Sequence, residues 1–176
     1  MLPAEELNRI LRYEPETGKL YWRTRPISMF PCIRIANMWN TRYSGLEALN
    51  TLSPSGYLRG PMLGGWYQAH RVIYAIQTGE WPIDQIDHIN GNKSDNRWIN
   101  LRNASCSQNC MNRGINSLNT SGLKGVCWVK SINKWRVQIQ VNKRRIWVGD
   151  FSDKGEAAEK YSLAAKKYHG DYHRIS

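Results

Sequence analysis

Between Ile86 and Leu101 the chain reads IDHINGNKSDNRWINL, which sets a carboxylate, Asp87, directly before an imidazole, His88, ahead of a polar loop and a second short strand-like run containing Asn100. Asn109 lies one helix further on. A carboxylate and an amide oxygen are donors of the kind a hard divalent cation takes. An imidazole titrates near neutral pH, so it can stand unprotonated beside such a cation and accept a proton from water. The chemistry these residues could do is metal-assisted hydrolysis. A calcium loop of the EF-hand type fails: Ile89 stands at the third position from Asp87, where an oxygen ligand is required, and no glycine falls at the sixth. A plain polar turn explains the Asn and Gly of the loop but not an Asp-His pair with Asn100 and Asn109 beyond it.

The elements that must position these residues are readable around them. Ile83 to Arg113 reads as strand, polar loop, strand, helix. Before it, Tyr57 to Met62 reads as a strand, Gly64-Gly65 as a turn, and His70 to Gln77 as a helix whose Val72, Ile73 and Ile76 face the core, ended by Gly79 and Pro82. At the start, Leu7, Ile10 and Leu11 share one face of a short helix, and Pro15 to Gly18 turns the chain into a strand from Lys19 to Arg23. From Thr24 to Ser55 the pattern is irregular and rich in Arg, Trp, Asn and Pro, which predicts a long surface loop or a DNA-facing segment and assigns it no role.

The stretch from about His70 to Arg113 resembles the HNH nucleases, in the Asn-containing branch that includes phage homing endonucleases. That resemblance implies a ββα-metal fold, with the Asp-His pair on the first strand, a structural Asn on the second and a metal ligand on the helix. It implies His88 as general base, Asn100 as a support that hydrogen-bonds across the loop to orient His88, and Asp87 with Asn109 as ligands of Mg²⁺ or Mn²⁺. The third family position is often His; Asn109 in its place is a harder and weaker ligand, which leaves the choice of metal open. His70 is read as structural. Arg102 and Arg113 are candidates to hold phosphates, with a solvated surface role as the alternative.

Composition agrees with a polyanionic partner. The 176 residues carry 25 Lys and Arg against 14 Asp and Glu, a formal charge of +11, and a pI near 9.7. Cations placed at phosphates release condensed counterions, so double-stranded DNA is the expected partner. No small-molecule cofactor is expected. A membrane is not expected either, because no apolar run approaches the ~18 residues of a spanning helix. The N-terminus lacks the basic and apolar regions of a secretory signal, which predicts a cytoplasmic protein, in a bacterial host if phage-encoded. Cys32, Cys106, Cys110 and Cys127 form no CxxC pair and are read as free thiols.

The length fits two small domains better than one, and residues 114–122, GINSLNTSG, are small, polar and aperiodic. They are read as a linker between a nuclease domain with an N-terminal extension, residues 1–113, and a second domain, residues 123–176. In the latter, Trp135 to Val141 alternates strictly, with Val137, Ile139 and Val141 inward and Arg136, Gln138 and Gln140 outward. Asn142-Lys143 is a hairpin turn, Arg145 to Phe151 alternates again, and Lys124 to Lys130 makes a plausible first strand. Asp153 and Glu156 form a capping box for a helix carrying Ala157, Ala158, Tyr161, Ala164, Ala165 and Tyr168 at helical spacing. The fold class is therefore α+β: a ββα-metal domain plus a three-stranded antiparallel sheet packed on one helix.

Ser121 to Ile175 resembles the plant APETALA/ethylene-response-factor DNA-binding domain through Lys124-Gly125-Val126, Lys134-Trp135, Ile146 to Phe151, Glu156-Ala157-Ala158 and Tyr168-His169-Gly170. This resemblance implies that the sheet enters the major groove with its helix behind. The open face offers Arg136, Gln138, Gln140, Arg145 and Trp147 to bases and sugars, with Lys124 and Lys143 at phosphates. Cys127 and Val129 stand where the plant domain is richer in Arg, so the target should differ. The whole predicts a divalent-metal-dependent DNA endonuclease of the homing type, its cutting module tethered to a reader. Two other readings are a non-catalytic sequence-specific regulator and a structure-specific repair or packaging nuclease. One active site per chain favours a nicking monomer, with a dimer left open.

Overall fold

A short helix and a hairpin begin the first unit. In the computed structural model, which describes residues 3–141 and 143–174, α1 (Ala4–Ile10) buries Leu7 and Ile10. β1 (Leu11–Glu14) and β2 (Lys19–Trp22) pair antiparallel, Leu11 opposite Trp22 and Glu14 opposite Lys19. Gly18 closes their turn at φ 73, and a Cβ there would meet the backbone N of Arg97 at 2.5 Å, so the hairpin tip lies directly on the backbone of the polar loop that follows His88.

The segment expected to be an irregular loop is structured, which corrects the reading of residues 24–55. After a 3-10 turn at Ile27–Met29, α2 spans Ile33–Tyr43, and β3 (Glu47–Ala48) and β4 (Thr51–Leu52) follow. Periodicity could not reveal α2. Its inward positions Ala36, Trp39, Asn40 and Tyr43 fall at helical spacing, but only Ala36 is fully buried and the apolar Ile33, Ile35 and Met38 are exposed, so the apolar residues are scattered round the helix. The amide of Asn40 anchors it instead, accepting from Arg25 N and donating to Arg25 O, each at 2.9 Å.

β3 extends the first hairpin beside β2. A second sheet runs β4, β5 (Leu58–Met62), β6 (Gly65–Gln68), with Gly60 opposite Tyr67 and Pro61 opposite Trp66. The expected helix is α3 (Ala69–Thr78). Its Val72 and Ile73 are fully buried, Ile76 is partly so, and Gly79 ends it at φ 81. β7 (Gln85–His88) then pairs with β8 (Leu101–Ala104). Ile86 and Leu101 from that ribbon join Leu7, Ile10, Leu11, Leu20, Val72 and Ile73 in one core, so the strand ends carrying Asp87 and His88 are anchored by apolar packing on their other residues.

The chain divides into compact units Met1–Asn103 and Ala104–Ser176. This division falls ahead of the linker expected at residues 114–122, and it places α4 (Cys106–Met111) with the second unit. The reason lies in Lys124, whose ammonium donates to the carbonyls of Met111 and Arg113 at 2.6 and 2.7 Å and so fastens the end of α4. Nor is the end of the expected linker a free spacer. Ser121 is buried with its hydroxyl on Val126 O at 2.7 Å, and Asn119 donates to Leu123 O.

The second unit holds β9 (Val126–Val129), β10 (Lys134–Val141) and β11 (Arg144–Phe151) in the order β11-β10-β9, with both pairings antiparallel. Val126, Val137 and Ile139 face α5 (Lys154–His169), meeting Ala157, Tyr161, Ala164 and Ala165. Asp153 caps α5 by accepting from Glu156 N at 2.8 Å. The turn expected at Asn142-Lys143 falls partly outside the described residues, at Asn142; Lys143 has φ 65. The fold is α+β. Cys32, Cys106, Cys110 and Cys127 are free and exposed, and no helix among the described residues is long and apolar enough to cross a membrane.

Candidate active site and nucleic-acid face

β7 ends on Asp87 and His88, both buried, and the polar loop beyond folds back through its own amides. Asn90 N donates to Asn100 Oδ1 at 2.9 Å, Asn100 Nδ2 donates to Asp95 O at 2.7 Å, and Ile89 N donates to Asn100 O. Asn90 Nδ2 reaches Asp95 Oδ2 at 2.7 Å, and Arg97 binds the same carboxylate through Nε and Nη2 at 2.8 and 2.6 Å. That guanidinium beside it holds the Asp95 carboxyl down at about 2.

The hydrogen bond to His88 expected from Asn100 comes from Asn96, whose Oδ1 lies 3.0 Å from His88 Nε2. Asn100 acts one step away, as the clasp of the loop that presents Asn96. The contact with Asn96 Oδ1 fits the tautomer of neutral His88 that carries its proton on Nε2 and its lone pair on Nδ1. Asn96 is itself fully buried, and its backbone carbonyl accepts from Tyr13 Oη at 2.8 Å, tying the site to the N-terminal hairpin. The sequence signal for Asn96 was slight: one Asn among several in a polar loop. Only its burial separates it from the others.

Burial pushes His88 below the ordinary imidazole value, opposed by the Asn96 hydrogen bond and by the charges of Asp87 and Asp95. Burial thus favours the neutral form of His88, the state a general base needs. His70, expected to be structural, stands against it with ring centroids 5.2 Å apart at 75°, and Tyr57 covers both rings at 4.9 and 5.9 Å. Burial, reinforced by His88 and Arg71, pushes His70 down to about 3, and its Nδ1 is buried without a hydrogen-bond partner among the described residues.

Arg102, expected at a phosphate, instead places both Nε and Nη2 on Asp87 Oδ2, at 2.8 and 2.7 Å. Its neighbour on β8 explains why: Leu101 is in the core, so Arg102 points to the opposite side of the strand, where Asp87 lies across the ribbon. Asn109 lies on α4 in the second unit, and Arg113 is exposed just beyond that helix. Among the described residues no three His, Cys, Asp or Glu side chains gather as a metal cluster. A buried carboxylate such as Asp87 fits a hard ion that keeps most of its ligands as water and phosphate oxygen, and does not by itself fit a closed zinc site.

In the second unit Arg136, Gln138, Gln140, Arg145 and Trp147 lie on strands β10 and β11, with Arg136 opposite Asp150, Gln138 opposite Trp147 and Gln140 opposite Arg145. A bulge between Val137 and Gln138 slips the register there and leaves Trp147 60% exposed. Arg136 is engaged, its Nε and Nη2 on the two oxygens of Asp150 at 2.8 and 2.9 Å. Lys124 departs from its expected phosphate role because its ammonium is turned inward onto the two carbonyls below α4, whereas Lys143 is exposed.

Residues 67–111 match the model of the HNH endonuclease family, a span that contains β7, the polar loop, β8 and α4. The similarity to HNH endonucleases, a family of nucleases and therefore of hydrolases, thus lies in residues 67–111. Two curated proteins are similar. An uncharacterized HNH endonuclease, L560, of Acanthamoeba polyphaga mimivirus is 32% identical over 123 residues, covering 69% of this chain and 63% of that protein. Protein 3.8 of Escherichia phage T7 is 45% identical over 75 residues, covering 40% of this chain and 62% of its own length. The chain spans under two thirds of either relative. No solved structure matches it significantly.

Proposed function

We propose that this protein is a divalent-metal-dependent DNA endonuclease of the homing type, with Asp87, His88, Asn96, Asn100 and Asn109 as its working residues. The observation that carries this reading is the adjacent buried pair Asp87-His88, with His88 Nε2 held by Asn96 at 3.0 Å. In this reading His88 Nδ1 takes a proton from the attacking water. The new P–O bond forms as the bond to the leaving sugar oxygen breaks, and that oxygen is then protonated. Asn96 fixes the ring, and Asn100 fixes the loop that carries Asn96. Asp87 and Asn109 would hold Mg²⁺ or Mn²⁺, which when bound supplies charge neutralisation at the scissile phosphate. Arg102, which holds Asp87 Oδ2 here, would be free to turn to a phosphate oxygen were that carboxylate taken up as a ligand.

The second unit is proposed as the reader. Its sheet and helix have the arrangement implied by the resemblance to the ethylene-response-factor domain, and Gln138, Gln140, Arg145 and Trp147 form the duplex-facing surface, with Lys143 at a phosphate. Arg113 is proposed at a flanking phosphate. The substrate is double-stranded DNA, cut by a monomer that nicks. Conversion of supercoiled plasmid to open-circular and linear forms, with Mg²⁺, with EDTA, and with His88→Ala, tests the enzyme. Metal-dependent products lost in the variant are expected. Specific binding in a gel shift with no cleavage under any condition would refute the enzyme in favour of a regulator.

A further inference from the structure

The first unit has an aromatic cleft of about 660 Å³, whose lining does not include His88. Trp22, Trp39 and Tyr43 line one part of it, and the β5–β6 hairpin from Gly60 to Trp66 lines another. Arg25 is its unusual member. It is only 7% exposed, yet its guanidinium carbon lies 3.9 Å over the Trp39 ring and 4.7 Å over that of Trp22. Among the described residues no carboxylate pairs with this guanidinium, and its Nε is buried without an acceptor. Glu47, which also lines the cleft, is taken by Lys19 at 3.0 Å.

A buried cation with unfilled donors is costly, and contact with indole faces offsets only part of that cost. The planar fork of a guanidinium is matched by a phosphate. In the lining of the same cleft Trp66 is 60% exposed, with Arg59 4.9 Å over its ring. An exposed indole with a stacked guanidinium is a platform for a nucleobase. The volume lies in the ordinary range for a small ligand. We propose that the cleft binds one unpaired nucleotide of the DNA, its phosphate at Arg25 and its base on the wall of Trp66. The proposal rests on the reading of DNA as substrate. It also gives a role to the α2 region, which the hydrolytic chemistry leaves unused. β5 links the two places: Tyr57, which covers His88, stands four residues before Pro61 in the cleft wall, about 13 Å along an extended strand.

The test uses the full-length His88→Ala protein, so that no substrate is consumed. Intrinsic tryptophan fluorescence is titrated with thymidine 5′-monophosphate, thymidine and inorganic phosphate. A duplex carrying one bulged nucleotide and its fully paired counterpart then compete for the protein. The monophosphate is expected to bind at least tenfold more tightly than the nucleoside or phosphate, and the bulged duplex to win over the paired one. Both preferences should weaken about tenfold in Arg25→Met and in Trp66→Ala. The exposed position of Trp66 keeps the second variant folded should the first fail to fold. Absence of binding, equal binding of thymidine and its monophosphate, or indifference to Trp66→Ala would overturn the proposal. Metal-dependent plasmid cleavage by the unsubstituted protein is measured separately: cleavage without nucleotide binding removes the cleft proposal alone, and nucleotide binding without cleavage removes the nuclease reading alone.

Discussion

Acidification should weaken the first unit chiefly through His70. Its side chain is buried against His88 and Tyr57, and burial holds its pKa near 3, against about 6.5 in an unfolded chain. Between those values the unfolded state binds a proton that the folded state refuses, so stability is fully present above pH 6.5 and falls as pH drops toward 3. For a single group so shifted, the loss between pH 7 and pH 5 is about 2 kcal/mol, approaching about 1.4 kcal/mol per pH unit at the acid end of that range. His88, also lowered, adds a loss of the same sign. Urea unfolding in EDTA at pH 7, 6 and 5, with hydrogen exchange of the α3 peptides assigning the transition to the first unit, gives the curve. His70→Phe keeps a ring in the site and removes the proton, so its curve should be flatter by about 2 kcal/mol over the same interval. Parallel curves for the two proteins, or a gain in stability on acidification, would refute the reasoning.

Asn96→Ala removes the acceptor from His88 Nε2 and should lower the nicking rate about 5- to 150-fold, the equivalent of about 1–3 kcal/mol, with DNA affinity by gel shift little changed. Gly18→Ala places a methyl 2.5 Å from Arg97 N at a positive φ; the first unit should lose about 1–3 kcal/mol in urea unfolding, and nicking should fall with it. Lys124→Met leaves the Met111 and Arg113 carbonyls without their donor and should destabilise the second unit by about 1–3 kcal/mol. The salt dependence of DNA binding should stay the same, because this ammonium is not at a phosphate.

What was legible in the sequence follows physical lines. α3, β10 and α5 each bury a regular face, so the periodicity of Val72-Ile73, Val137-Ile139 and the alanines of α5 reports them directly. α2 buries one alanine and half-buries Trp39, Asn40 and Tyr43, and the exposed Ile33, Ile35 and Met38 on its other faces mask that spacing. Asp87 and His88 stood out because a paired acid and imidazole is a rare chemical combination. Asn96 and Asn100 are chemically identical, and only the folded loop decides which meets His88 and which closes the turn. Basic residues misled for the reverse reason. Arg102 and Lys124 read as phosphate contacts and Arg136 as a base contact, whereas the fold supplies each with an acceptor, in Asp87, in the carbonyls at the end of α4, and in Asp150.

The hairpin tip at Gly18 and the Tyr13 hydroxyl both rest on the backbone of Asn96 and Arg97, far upstream in sequence of the matched nuclease segment. Excision at the family boundaries would therefore strip the imidazole of the buttress behind its partner while retaining every motif residue. Any fragment meant to keep His88 in its observed setting would need to carry the first hairpin along with the matched segment, so a search for a minimal fragment should begin from the N-terminus, not from the motif.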